Sequence, residues 1–127
     1  MDRVEAEDLI VRGTQRAVAW ARDPTGRRWA KDFLEQEARP SDRARIRNWC
    51  HILADAGQIT NPRVFRKEAG PIWAFKSGQV RIGAFLTGRT WYLTHGFMKK
   101  KPKWDRRELH RAERIRVEQL LRLENSR

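Results

Sequence analysis

A chain of 127 residues with 39% hydrophobic content is sized for one domain with a modest core, and six Trp with five Phe make that core aromatic. The formal net charge of +12 points to a polyanionic or acidic partner and says little about fold. No apolar run approaches the roughly 20 residues of a membrane helix. The acidic start lacks the pattern of a secretory signal. A lone Cys50 cannot form an internal disulfide, and three scattered His offer no zinc-ligand set. These features lead us to expect a cytoplasmic protein with no membrane contact, no cofactor and no metal.

In chain order, Val4, Leu9, Ile10 and Val11 suggest a short helix over 3–12, ended by Gly13. Residues 1–13 are expected to form an N-terminal extension to a single domain over 14–127. Val18 and Trp20 alternate in a first strand over 15–22, and Asp23-Pro24-Thr25-Gly26 marks a turn. Trp29, Phe33 and Leu34 share one face of a helix over 27–37. After Pro40, Ser41 is the expected N-cap of a helix over 42–56. Ile46, Trp49, Cys50 and Leu53 form its buried stripe, and Gly57 ends it. Cys50 within that stripe reads as a small core hydrophobe, not a nucleophile.

Beyond Pro62 the period changes. Residues 72–76, 79–86 and 90–97 read as three strands joined by turns at Ser77-Gly78 and Thr87-Gly88-Arg89, an antiparallel meander. A basic loop follows over 98–103. Asp105 and Glu108 then resemble a capping box opening a last helix rich in Arg and Glu. The order β-α-α-β-β-β-α predicts an α+β domain with helices packed on one face of a small, twisted antiparallel sheet.

The charge is segregated. Residues 1–60 carry 11 Lys/Arg against 10 Asp/Glu, and residues 105–127 carry seven against five. Between them, residues 61–104 carry ten basic side chains against one acid, Glu68. A solvated surface would mix the signs, so this segment has the footprint expected of phosphate contact.

The second half also carries an ordered set of short motifs. Ile72-Trp73-Ala74-Phe75-Lys76 is followed by Val80-Arg81-Ile82, then by Leu93-Thr94-His95-Gly96-Phe97-Met98-Lys99-Lys100, and by Lys101-Pro102-Lys103. This set resembles the RelE/ParE toxin superfamily, and within it the HigB-type branch that includes phage-encoded members. The likeness covers roughly residues 16–122, agrees in layout only in its first half, and is most specific over 95–102. It implies a RelE-like fold and the toxin component of a type II toxin–antitoxin system. HigB and RelE members are endoribonucleases that cut mRNA, usually in the ribosomal A site, and are held inactive by an antitoxin that often contains a helix-turn-helix domain. ParE members share the fold and poison DNA gyrase.

RNA cleavage without metal needs a proton taken from the 2′-hydroxyl, charge stabilisation on the phosphate, and a proton for the 5′-oxygen. Arg81 and Lys76, on neighbouring strands, are the expected phosphate ligands. His95 and Lys99 are the candidates for proton transfer, His95 by its ordinary pKa. Lys100, Lys101 and Lys103 are expected to bind RNA, and Arg66 and Lys67 to bind RNA or an antitoxin carboxylate. Two features depart from the family pattern: Lys76 stands where relatives often have Arg, and Tyr92 is the only tyrosine, with none near the C-terminus. His95 shares strand parity with Trp91, Leu93 and Phe97, so a core role is equally open. Trp104 reads as a staple between helix and sheet more readily than as a base-stacking platform. A non-enzymatic inhibitor and a plain nucleic-acid binder remain alternative readings of the whole chain.

Overall fold

The computed structural model describes residues 4–126. The chain folds as β1 (Leu9–Arg12), β2 (Ala17–Trp20), α1 (Trp29–Gln36), α2 (Pro40–Ala56), β3 (Phe65–Ala69), β4 (Ile72–Ser77), β5 (Val80–Thr87), β6 (Thr90–Met98) and α3 (Arg106–Asn125). This is an α+β architecture, with the six strands in one sheet in the order β1-β2-β6-β5-β4-β3. The meander β4-β5-β6 forms as its turns predict, with Lys76 opposite Arg81 and Arg81 opposite Phe97.

Three expectations are corrected. First, the sheet is mixed: β2 pairs with β6 in parallel, Ala17 opposite Thr90 and Trp20 opposite Leu93. Second, residues 9–12 form a strand, not a helix, and pair with β2 at the sheet edge. The region expected as an extension thus contributes to the sheet. Gly13 belongs to the turn between these strands. A Cβ there would lie 2.4 Å from the Ala54 carbonyl carbon, because Gln15 and Arg16 donate their N–H groups to the Ala54 oxygen at the end of α2. Third, helices cover both faces. Strand alternation sends Val18, Trp20, Phe75, Ile82 and Leu93 to one side, where they pack on Phe33 and Leu34 of α1 and Ile46, Cys50 and Leu53 of α2. Ala19, Ile72, Ala74, Phe85 and Tyr92 point the other way, onto Ala112 and Ile115 of α3.

Several polar ties fix the helices. α2 begins one turn position earlier than Ser41 suggests, with Pro40 in the first turn and Arg39 at the cap, and it closes on Gly57 at φ +83°. Asp105 caps α3 by accepting from the Arg107 N–H at 2.9 Å. Asp8 is buried and takes hydrogen bonds from Arg22 Nε at 2.9 Å and Arg28 Nε at 2.6 Å, locking the β1 entry to the β2–α1 loop. That loop is held from the other side by α3. Arg22 N–H donates to Gln119 Oε1, and Arg122 Nη2 donates to the Asp23 carbonyl. Cys50 is fully buried, and loss of solvent pushes its thiol up to about 12, so it is inert packing.

Candidate nucleic-acid interface

Alternation along three adjacent strands brings the expected phosphate ligands together. Arg66 on β3, Lys76 on β4 and Arg81 on β5 all project from the α3 side of the sheet, near the β4–β5 hairpin. α3 covers the opposite end of that face, over Ile72, Phe85 and Tyr92, and leaves the cationic end unroofed. Lys99 leaves β6 beside them, held by its N–H to the Gln79 carbonyl at 2.7 Å.

The cations sense one another. Burial, then repulsion from Arg66, Arg81 and Lys99, lowers the Lys76 pKa below its ordinary value, with Glu68 alone opposing. Burial also lowers that of Arg81, opposed by attraction to Glu68 and reinforced by Arg66. Arg81 is oriented by its own hairpin, its Nη1 donating to the Gly78 carbonyl at 2.6 Å and to Val80 at 2.9 Å. Its Nε and the Glu68 Oε1 are both buried without a hydrogen-bond partner. The exposed Arg66 and the partly exposed Lys76, Arg81 and Lys99 around one carboxylate form a cationic patch suited to a phosphate.

His95 lies apart from this chemistry. It is 1% exposed, and its ring stacks on Phe97 and meets Trp104 edge-on. Nε2 lies 3.2 Å from Glu108 Oε1, and Nδ1 3.2 Å from Thr94 Oγ1. A carboxylate only accepts, so Nε2 carries a proton, and Nδ1 pairs with the Thr94 hydroxyl. The His95 hydrogen bond in turn holds Glu108 below the usual carboxylate range, against the opposing effect of burial. The expected parity fails because β6 is bulged: Ile82 pairs with Gly96 but Ala84 with Leu93. The extra residue sends Thr94 and His95 to the same side. Gly83 stands opposite, where a Cβ would lie 2.4 Å from Thr94 Oγ1. His95 is therefore a sealed positioning group with no solvent access, and Glu108 serves it instead of completing a capping box.

The remaining candidates spread out. Lys67 sits opposite Trp73 on the other face of β3, so only Arg66 of that pair joins the cluster. Lys100, Lys101 and Lys103 are exposed on the loop leading to α3. Trp104 is 7% exposed, packed edge-on at 4.7 Å against Phe97, and staples loop to sheet. Tyr92 is buried and stacked on Phe85.

Three contributors were missed in the sequence. Glu68 was visible only as the lone acid of a basic segment. Arg39 and Arg45 flank the same hairpin from α2, with no sequence proximity to suggest it. Among the described residues, no group of His, Cys, Asp or Glu is arranged to hold a metal, and no helix is long and apolar enough to cross a membrane. No protein-family model matches the chain, and a comparison with curated proteins gives no significant match.

Proposed function

We propose that this chain is the toxin component of a type II toxin–antitoxin pair and acts as a ribosome-dependent endoribonuclease on mRNA in the A site. The observation that carries this reading is the partly exposed cluster of Arg66, Lys76, Arg81 and Lys99 around Glu68, the lone acid of its segment. In this reading Arg81 and Arg66 hold the scissile phosphate. Glu68 takes the 2′-hydroxyl proton, the 2′-oxygen attacks phosphorus, and the bond to the 5′-oxygen breaks. Lys76, its ammonium acidified by its surroundings, gives the proton to the departing 5′-oxygen. Products are a 2′,3′-cyclic phosphate and a free 5′-hydroxyl. Lys99 adds charge, and Lys100, Lys101 and Lys103 grip flanking RNA. The partner that restrains it is a cognate antitoxin, a helix-turn-helix protein with an acidic segment for the same face, and the compartment is the cytoplasm.

A second reading is favoured by the burial of His95, which removes the one histidine near the cluster whose ordinary pKa suits neutral proton transfer. On that reading the surface holds its target without cutting, as a nucleic-acid binder or a non-enzymatic inhibitor of gyrase or another host factor. Expression of the chain with mapping of RNA 5′ ends separates the two. The nuclease reading expects growth arrest with new mRNA ends, both lost in Arg81→Ala, with cleavage reduced about 10²-fold or more. Arrest without new ends sinks it in favour of an inhibitor, and RNA binding without arrest favours a plain binder.

A further inference from the structure

The β4–β5 hairpin has cations on both of its flanks. On the α3 side stand Lys76 and Arg81, with Arg81 anchored to the Gly78 carbonyl at 2.6 Å. On the other side stands the first turn of α2. Arg45 Nη1 donates to Ser77 Oγ at 2.8 Å, and Ser77 donates to the buried Asp42 at 2.7 Å. Arg39 Nε donates to the same carboxylate at 3.2 Å, while its Nη2 would lie 3.9 Å from a Cβ on Gly78. The side chains of Arg39 and Arg45 are 78% and 53% exposed, whereas Asp42 is 2% exposed and faces inward. Arg43, between them in sequence, turns away and donates to the Glu35 carbonyl of α1. Gly78 and Gln79 at the tip are exposed and carry no charge of their own.

We propose that this hairpin is a saddle over which single-stranded RNA bends, with phosphates on Lys76 and Arg81 on one flank and on Arg39 and Arg45 on the other. The inference rests on the RNA-directed reading above and adds a second phosphate track from a segment whose overall charge is near balance. The two flanks lie on opposite faces of one sheet, so a strand that contacts both must turn over the tip within a few nucleotides. A single strand can turn on that scale; a duplex, with a persistence length of roughly 50 nm for DNA, cannot. The small Ser77-Gly78 tip lets a backbone approach closely, and each flank supplies planar guanidinium groups suited to phosphate.

The test uses the full chain and a 12-nucleotide single-stranded RNA, with affinity measured across a salt series. Each neutralised contact is expected to lower the slope of log K against log salt by about 0.7. Arg39→Gln with Arg45→Gln should therefore reduce the slope by about 1.4, as should Lys76→Gln with Arg81→Gln, and the four together should add. Arg39→Lys with Arg45→Lys should retain the slope, which separates lost charge from a damaged fold. An unchanged slope in the Arg39/Arg45 pair, alongside a reduced one in the Lys76/Arg81 pair, overturns the saddle and leaves the RNA reading standing. Absence of salt-dependent RNA binding by the unaltered chain overturns both. Equal loss on duplex RNA of the same sequence also overturns the bend over the tip.

Discussion

At the scale of single residues, the bulge in β6 decides what His95 does. Gly83 makes room for the doubled Thr94–His95 step, so Gly83→Ala should cost about 1–3 kcal/mol in chemical denaturation. Adding Thr94→Ala removes the clashing oxygen, and the double variant should recover part of that loss. Asp23 is a second residue with a readable pH signature. Burial works against its ionisation, but hydrogen bonds from Thr25, from Trp29 Nε1 at 2.8 Å and from the Arg27 and Thr25 N–H groups outweigh it and hold the pKa at about 2. A depressed carboxylate stabilises the fold above its unfolded value of 3.8 and loses that contribution as pH falls through about 2. Asp23→Asn should therefore be less stable at neutral pH by about 1 kcal/mol, with the difference closing between roughly pH 4 and 2. For Lys76 the sign is opposite in function. A general acid works while protonated, so cleavage should decline as pH rises through its lowered pKa, and Lys76→Arg should abolish that decline.

At the scale of elements, legibility in the sequence followed locality. Helices α1 and α2 have amphipathic stripes and breakers of their own, and the β4-β5-β6 meander has two-residue turns, so each declares itself within a short window. β1 and β3 do not. Leu9–Arg12 has four residues with no clear alternation, and Phe65–Ala69 reads Phe-Arg-Lys-Glu-Ala, a polar run that is strand only because β4 lies beside it. The parallel β2–β6 pair joins residues more than seventy positions apart, which no local pattern encodes. The site was half legible for the same reason. Lys76 and Arg81 face each other across one hairpin and were paired correctly. Glu68 needed the unseen β3, and the α2 arginines needed tertiary contacts. As an edge strand, β3 also gains from its charges, since exposed Arg66 and Lys67 discourage another sheet from adding to it. Replacing both with Val should promote self-association, visible as a concentration-dependent shift in gel filtration.

At the scale of the whole molecule, the excess of twelve positive charges opposes compaction as well as recruiting polyanions. Moderate salt should raise the melting temperature by screening that repulsion. A polyanion that binds only the folded chain should raise it further by mass action, and the Lys76/Arg81 variant should lose most of that second increment. The central parallel pairing has a consequence for how the chain comes into being. β2 and its partner β6 are separated in the chain by α1, α2, β3 and the β4–β5 hairpin. The loop that must close between them is long, and such non-local closure slows folding. Val18 and Trp20 can gather Phe33, Leu34 and Ile46 from the helices that follow them, but Leu93 completes that layer only when β6 docks, so the same closure that seals the core also fixes the strand beside the cationic hairpin.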